Sequence, residues 1–345
     1  MKALVLTEYK KLVVTEVPEP VPGPGEVLIE VAACGICGSD IHGYDGNSGR
    51  RLPPIIMGHE CAGTIAALGK GTTGWAVGDR VTMDSMLFCG RCPYCTSGHT
   101  NLCESRQVLG VSCPEFRKEG AFARFVTVPA SVLVALPDHL PFEQAAFAEP
   151  LAVSLHAVRL VDPKPGSTAV VVGAGMIGLL VIQVARAVGC SRVIAVDLDR
   201  DRLELARSLG ASHVLNPADG GTVEAILALT DGKGAECAFE AVGHTNPLRT
   251  AIGSVRKGGR VGLIGNLSAT TEFPLQQVVT REITLFGSCA CAGEFPEAVR
   301  MIAEGTVSVA SLITDRGRLE DGPGFFDRLY RHEPGHLKVI LSPNA

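Results

Sequence analysis

Residues 168–178 read TAVVVGAGMIG, and this stretch decides the fold. The apolar and β-branched run at 168–172 is typical of a fully buried strand. The glycines that follow have the spacing G-x-G-x-x-G, and the apolar run from Met176 to Val188 has the length of a helix. A glycine-rich turn that joins a buried strand to a helix is the first βα unit of a dinucleotide-binding sheet.

Each glycine of this motif has a separate task. Gly173 permits the tight turn, Gly175 lets a pyrophosphate approach the backbone N–H groups, and Gly178 lets the helix pack closely on the strand. Met176 and Ile177 stand between the last two of these glycines, at the start of the helix. The motif alone is weak evidence, but the strand before it and the helix after it are the context that supports it.

Asp197 ends the next predicted strand, 192–196. A carboxylate there accepts hydrogen bonds from the adenosine ribose and repels a 2′-phosphate, so the sequence favours NAD over NADP. Arg202 lies just beyond it, either beside the adenine or as a solvated helix charge.

Strands and helices alternate from this unit onward, with strands expected at 236–240, 259–264 and 282–286 and a helix at 200–209. This alternation predicts a doubly wound parallel sheet and an α/β fold. The chain before it is rich in short β-branched runs between Gly and Pro turns. We therefore expect a β-rich domain over residues 1–154, a nucleotide-binding domain over 155–288, and a return segment over 289–345 that completes the first domain.

The composition is that of an ordinary globular protein of 345 residues, with 46% hydrophobic and 19% charged residues. The net charge of −5 argues against nucleic acid and anionic membranes as partners. From the charged N-terminal stretch and the short apolar runs we expect neither a signal peptide nor a membrane span. Twelve cysteines in a chain of this size, four of them with metal spacing, fit a reducing cytoplasm.

The loop CGRCPYCTSGHTNLC, residues 89–103, contains four cysteines. Thiolates packed this tightly can all reach one tetrahedral ion, and four of them close its coordination shell. The loop therefore predicts a structural zinc site on Cys89, Cys92, Cys95 and Cys103.

Three further segments contain metal-binding residue types: GICGSDIH at 35–42, GHE at 58–60 and AEPL at 148–151. None of them is specific alone, because a lone Cys or His is usually structural. Together with the dinucleotide motif and the cysteine loop, in this order, they resemble the zinc-dependent medium-chain alcohol and polyol dehydrogenases over essentially the whole chain.

This resemblance implies a GroES-like β-rich catalytic domain, a Rossmann NAD domain, and two zinc ions per chain. The residues matched to the catalytic zinc are Cys37, His59 and Glu149, with Glu60 beside them. Glu149 stands where simple alcohol dehydrogenases have a cysteine, so the chain resembles the polyol branch. Ser39 matches the hydroxyl that takes the substrate proton, His42 the relay histidine, and Asp40 the carboxylate that orients the zinc-binding histidine. The implied reaction oxidises a secondary alcohol of a polyol, polyol phosphate or sugar-like substrate to a ketone, with hydride transfer to NAD.

Several alternatives stay open. Where sorbitol dehydrogenase has an Arg-Tyr pair near the nicotinamide, this chain has GSCAC at 287–291, which puts sorbitol itself in doubt. Arg50 and Arg51 are either ligands for a phosphate or carboxylate, or surface charges. L-threonine 3-dehydrogenase and a butanediol-type enzyme are rivals, as is a non-catalytic member of the superfamily. A zinc-ribbon nucleic-acid binder is opposed by the acidic charge balance. The family and the edge strand at 282–286 predict a homodimer or homotetramer.

Overall fold

The structure, a computed structural model, describes residues 1–344. The chain forms two compact units. The first contains Met1–Glu149, Phe295–Gly305 and the chain from Val309 onward, and the second contains Pro150–Glu294 with Thr306–Ser308. The sequence predicted domain boundaries at 154/155 and 288/289, whereas the boundaries between the two units lie at 149/150 and 294/295. The first of these boundaries falls inside the helix Ala148–Val161, so no loop marks it.

The part of the first unit that precedes residue 149 is mostly short strands. In chain order its elements are β1 (Lys2–Glu8), β2 (Lys11–Glu16), β3 (Glu26–Gly35), α1 (Gly38–Tyr44), β4 (Ile55–Ile56), β5 (Glu60–Leu68), β6 (Arg80–Met83), β7 (Met86–Leu87), α2 (Pro93–Thr96), β8 (Gln107–Val108), β9 (Val111–Ser112), β10 (Arg117–Lys118), β11 (Phe125–Pro129), β12 (Leu133–Ala135) and α3 (Phe142–Ala145).

The second unit alternates strands and helices. Its elements are α4 (Ala148–Val161), β13 (Thr168–Val172), α5 (Met176–Ala187), β14 (Arg192–Val196), α6 (Arg200–Ser208), β15 (His213–Leu215), α7 (Thr222–Leu229), β16 (Ala235–Glu240), α8 (Thr245–Ser254), β17 (Val255–Leu263), α9 (Leu275–Thr280) and β18 (Thr284–Gly287). The six strands form one sheet in the order β15-β14-β13-β16-β17-β18, and all neighbours are parallel. This order is the doubly wound arrangement of dinucleotide-binding sheets.

The return segment adds α10 (Phe295–Ala303), β19 (Ile313–Gly317), α11 (Gly322–Tyr330) and β20 (Lys338–Leu341). β19 and β20 join the main sheet of the first unit, which runs β12-β6-β5-β3-β20-β19 with β11 also paired to β3. The α/β fold with a β-rich domain and a doubly wound nucleotide domain is therefore confirmed. The sequence pattern of this segment predicts a helix over 294–304 and a strand over 337–341, which correspond to α10 and β20, but it does not predict β19 or α11.

β3 is the centre of the first unit, because β5, β11 and β20 all pair with it. Its inward residues, among them Val27, Ile29 and Val31, are fully buried. At its end Gly35 pairs with Glu60, the first residue of β5. β20 pairs with β3 at the same end, through Ile340 and Gly35. The ends of three strands thus meet beside residues 35–37 and 59–60. Among the described residues, no helix is long and apolar enough to span a membrane.

Candidate active site and zinc sites

A capping box positions Cys37 and Ser39 at the start of α1. Cys37 is the N-cap residue, and its Sγ accepts a hydrogen bond from the Ser39 N–H at 3.4 Å. The Asp40 carboxylate in turn accepts from the Cys37 N–H at 3.2 Å. Such reciprocal bonds satisfy the free N–H groups of a helix start. The sequence analysis did not predict α1, although a short acceptor side chain followed three residues later by an acid was the signal for it.

Cys37, His59 and Glu60, called here the Cys37 cluster, each offer one ligand atom, and these atoms lie within 4.8 Å of one another. His59 and Glu60 are buried, and Cys37 is partly exposed. A thiolate, an imidazole and a carboxylate are a common ligand combination for zinc that keeps an open position. Glycine is required opposite Glu60, because a Cβ on Gly35 would lie 2.4 Å from Glu60 Oε2.

Asp40 is fully buried and contacts His59 and Arg51. Asp40 Oδ1 lies 3.5 Å from His59 Nδ1 and accepts a 2.9 Å hydrogen bond from Arg51 Nη2. Burial alone would raise the pKa of Asp40, yet the charges of His59 and Arg51 hold it well below its usual range. Asp40 is therefore a buried carboxylate on the Nδ1 side of the His59 ring, which leaves Nε2 as the other ring nitrogen.

Arg51 corrects one sequence-based reading. It was expected to be either an anion ligand or a surface charge, but its side chain is buried against Asp40. Arg50, in contrast, is exposed.

Lys338 is a second buried cation at the site, and the sequence analysis missed it. Its Nζ lies 2.6 Å from Glu60 Oε2 and donates to the Ile36 carbonyl at 3.1 Å. Burial alone would lower the pKa of Lys338, but the charge of Glu60 raises it above its usual value. The only signal in the sequence was a lone cation in the apolar strand KVIL.

Glu149 lies near the Cys37 cluster without belonging to it. Its Oε1 accepts a 3.2 Å hydrogen bond from the hydroxyl of Ser85, a residue that the sequence analysis gave no reason to select. Burial raises the pKa of Glu149 to about 7, although the charge of His59 opposes this rise. Glu149 therefore interacts electrostatically with the cluster, but it is not among the residues with ligand atoms within 4.8 Å of one another.

The two residues expected to move a proton lie on α1. Ser39 Oγ is 3.4 Å from His59 Nε2, so the hydroxyl borders the cluster directly. His42 is three residues further along the same helix and is partly exposed. A side chain with both buried and exposed parts is suited to pass a proton toward solvent.

The four-cysteine loop, defined by Cys89, Cys92, Cys95 and Cys103, gathers its sulfurs within 4.8 Å of one another. Backbone amides point at these sulfurs: the Cys89 N–H donates to Cys103 Sγ and the Cys92 N–H to Cys89 Sγ. Backbone hydrogen bonds also lower the pKa of Cys92 to about 6. Amide groups that stabilise thiolates prepare the loop for a cation.

The dinucleotide motif has the geometry expected for it. Gly173 has a φ of 100°, and a Cβ on Gly178 would lie 1.7 Å from the Gly173 carbonyl oxygen. A Cβ on Gly175 would meet nothing within 4 Å, so this residue opens onto free space at the start of α5. Met176 and Ile177 are partly exposed beside it. The N-terminus of a twelve-residue helix with free N–H groups is suited to bind a pyrophosphate.

Asp197 follows β14 and organises the turn. Its two carboxylate oxygens accept from the N–H groups of Ala174 at 2.6 Å and Asp199 at 2.8 Å. Arg202 is 3.5 Å from Asp199 on the exposed start of α6. The strand-end carboxylate is thus held next to the glycine turn, as a ribose-binding residue needs to be.

Comparison with known proteins shows the family of this chain. Residues 23–138 match the model of the alcohol dehydrogenase GroES-like domain, and residues 177–304 match that of the zinc-binding dehydrogenases. A sorbitol dehydrogenase of Bacillus subtilis is 36% identical over 349 aligned positions, which cover 100% of this chain and 98% of that protein.

Two solved structures are similar over nearly all of the chain. Galactitol-1-phosphate dehydrogenase from Escherichia coli has a TM-score of 0.92 and 30% identity, covering 99% of this chain and 100% of that one. A zinc-binding dehydrogenase from Sinorhizobium meliloti, solved with NADP, has a TM-score of 0.91 and 32% identity, covering 99% of both chains. The chain therefore belongs to the zinc-dependent medium-chain dehydrogenases, and within them to the polyol branch.

Proposed function

We propose that this protein oxidises a secondary alcohol of a polyol, polyol phosphate or sugar-like substrate to a ketone and transfers the hydride to NAD⁺. The observation that carries the proposal is the Cys37 cluster. It joins a thiolate, an imidazole and a carboxylate at one point, and the nucleotide unit of the same chain has a dinucleotide turn. A metal site with an open position and a hydride acceptor are the two requirements of alcohol oxidation.

Cys37 and His59 are the first two protein ligands that we propose for the catalytic zinc. The third is a carboxylate, and we assign it to Glu149, with Glu60 adjacent. The position of Glu149 in AEPL supports this assignment, and so does its electrostatic interaction with His59. Glu60 is also close enough, but one of its oxygens is held by Lys338. Zinc bound here would supply a Lewis acid that polarises the substrate hydroxyl.

The chain's own residues then act on the proton. Ser39 borders the metal ligands at 3.4 Å from His59 Nε2, so its Oγ is in position to accept the proton of the substrate hydroxyl. In the same step Ser39 gives up its own proton, which leaves through the partly exposed His42. Asp40 holds the imidazole of His59 from the Nδ1 side and so fixes which nitrogen faces the ion.

The cofactor that we propose is NAD rather than NADP. Asp197 supports this choice, because a carboxylate at the end of the second strand binds ribose hydroxyls and repels a 2′-phosphate. The similar structure with bound NADP argues for testing it directly. Asp197→Ala should raise the KM for NAD and weaken rejection of NADP by about 1–3 kcal/mol. Preference of the wild-type enzyme for NADP would overturn this assignment.

We further propose a homodimer or homotetramer in the cytoplasm. β18 is the last strand of its sheet, so its outer edge can pair with the same strand of a second copy. The cysteines of the two candidate zinc sites form no disulfide, and zinc-binding thiols of this kind persist in a reducing compartment. Light scattering of the purified protein tests the assembly.

The decisive experiment for the function is a screen of zinc-loaded protein with NAD⁺ and NADP⁺ against polyols, polyol phosphates, threonine and simple diols. We expect cofactor reduction with a polyol or polyol phosphate. Faster reduction with threonine or butanediol would reassign the substrate. Absence of reduction with every alcohol, in protein that binds both zinc and NAD⁺, would indicate a non-catalytic member of the superfamily.

A further inference from the structure

Arg51 is a buried cation that the proposed chemistry does not yet use. Its side chain is 3% exposed, and its backbone is held by the strand residue Ser112, whose N–H donates to the Arg50 carbonyl and whose carbonyl accepts from Leu52. Nη2 makes the 2.9 Å bond to Asp40 Oδ1 and also lies 3.5 Å from Ser39 Oγ. Nη1 donates to the Arg50 carbonyl at 3.0 Å.

The two contacts of Arg51 Nη2 connect it to both functions of the site, metal binding and proton transfer. Asp40 faces the metal-binding imidazole of His59, and Ser39 is the hydroxyl next to the metal ligands. A guanidinium nitrogen has two hydrogens in a fixed plane, so one Nη2 can point at both oxygens at once. A lysine ammonium at the same place would keep the positive charge but not this planar geometry.

We propose that Arg51 is a positioning residue, which orients Asp40 and thereby His59 for the metal, and which also orients the hydroxyl of Ser39 for proton transfer. Only the role of Arg51 in orienting Ser39 rests on the proposed alcohol oxidation. When Ser39 Oγ accepts a hydrogen from Arg51, its own hydrogen must point away from the guanidinium. One lone pair of the Ser39 oxygen then stays free for the substrate proton.

The packing around Arg51 supports a fixed position. A Cβ on Gly43 of α1 would lie 2.3 Å from Arg51 Cγ and 3.1 Å from its Cβ. The absence of a side chain at residue 43 therefore creates the space in which the arginine stem lies. A plain alternative is that Arg51 only neutralises the buried Asp40, which any cation would do.

Arg51→Gln, Arg51→Lys and the exposed neighbour Arg50→Gln separate these roles. Each zinc-loaded variant is tested for the rate of zinc release to a chelator, for kcat with the best alcohol, and for the solvent deuterium isotope effect on kcat. The phase of zinc release that disappears in Cys37→Ser is assigned to the catalytic zinc. NAD⁺ affinity, which depends on the other unit, should be unchanged in all three.

We expect Arg51→Gln to speed zinc release and lower kcat by roughly 10–100-fold each, the size typical of residues that hold metal ligands in place. Arg51→Lys should restore slow zinc release, while its kcat stays roughly 10-fold or more below wild type with a larger isotope effect. Arg50→Gln should change neither rate by more than about twofold, because surface charges are usually near neutral.

Three results would overturn the proposal. One is wild-type zinc release and kcat in Arg51→Gln. The second is full recovery of kcat in Arg51→Lys, since charge alone would then suffice. The third concerns Gly43→Ala, which keeps the positive charge but displaces the guanidinium, and which replaces Arg51→Gln if that variant does not fold. A folded Gly43→Ala enzyme with wild-type kcat would overturn the proposal. If the wild type oxidises no alcohol, the proposed function fails, whereas zinc release still tests the link from Arg51 to Asp40.

Discussion

The four-cysteine loop takes all its ligands from residues 89–103, whereas the Cys37 cluster joins the start of a helix to the start of a strand more than twenty residues away. Backbone N–H groups of the loop itself donate hydrogen bonds to the sulfurs of Cys89 and Cys103. The Cys37 cluster depends on side chains from elsewhere: Arg51 behind Asp40, and Lys338 behind Glu60. A closed site can be built by one short segment, but an open site, which must leave a position for substrate, needs support from its surroundings.

The Cys37 cluster and the four-cysteine loop also differ in the groups that stabilise their negative charges. Among the described residues, two buried pairs of a carboxylate with an Arg or Lys adjoin the Cys37 cluster, Asp40–Arg51 at 2.9 Å and Glu60–Lys338 at 2.6 Å, and Asp40 also lies 3.5 Å from His59. Both pairs are almost fully buried, so neither carboxylate is compensated by water. In the four-cysteine loop, backbone N–H groups instead lower the pKa values of Cys89 and Cys92. The variants below test this contrast, from the largest expected effect to the smallest.

Glu149→Ala should abolish activity and lower the zinc content from two ions to one per chain, because two protein ligands rarely hold the ion. The control is Glu143→Ala, which removes a carboxylate from a half-exposed pair with Arg316 and should keep both ions. Metal analysis by mass spectrometry gives the answer. Two zinc ions in Glu149→Ala would mean that Cys37, His59 and Glu60 hold the metal without it.

Ser39→Ala should keep both zinc ions and NAD⁺ affinity but lower kcat by roughly 10²–10⁴-fold, the size typical of a lost acid–base group. The hydroxyl contacts a metal ligand but is not itself one, so the zinc content should stay constant while the activity falls. Steady-state kinetics together with zinc analysis provide the measurement. Loss of zinc in this variant would show that Ser39 belongs to the metal shell.

Lys338→Met should destabilise the zinc-free protein by about 3–5 kcal/mol, since it leaves Glu60 buried without its partner. Zinc should offset part of this loss, because the ion supplies positive charge beside the same carboxylate. The control is Lys2→Met, which breaks an exposed 2.7 Å pair with Glu320 and should leave stability nearly unchanged. Urea unfolding with and without zinc measures both, and equal losses for Lys338→Met in the two conditions would contradict the offset.

Cys92→Ser should have the smallest effect on chemistry. It should remove the zinc of the four-cysteine loop and lower thermal stability or oligomer integrity, while kcat per folded catalytic site stays near wild type. Zinc content, melting temperature and kcat are compared with those of Cys113→Ser, a cysteine outside both clusters. Unchanged zinc content in Cys92→Ser would count against a metal in this loop.

The sequence predicted what short stretches determine. The turn at Gly173, five of the six strands of the nucleotide sheet and the four-cysteine loop depend on neighbours in the chain, so their spacing was sufficient. The three-residue strand β15 was not predicted. The supports of the Cys37 cluster were not predictable in this way. Lys338 and Glu60 are 278 positions apart, and the pair exists only because β20 and β5 both pair with β3. Arg51 looked like a surface arginine, because nothing in GNSGRRLPP indicates that Asp40 lies next to it.

The pairing of Lys338 with Glu60 also has a consequence for how the molecule is made. A ribosome completes residues 89–103 long before it reaches residue 338, so the four-cysteine loop can take up its ion while synthesis continues. Glu60 has no buried cation beside it until β20 has been added to the sheet. The buried support behind Glu60 is therefore completed last, after the segments that contain Cys37, His59, Glu149 and the four-cysteine loop have all been synthesised.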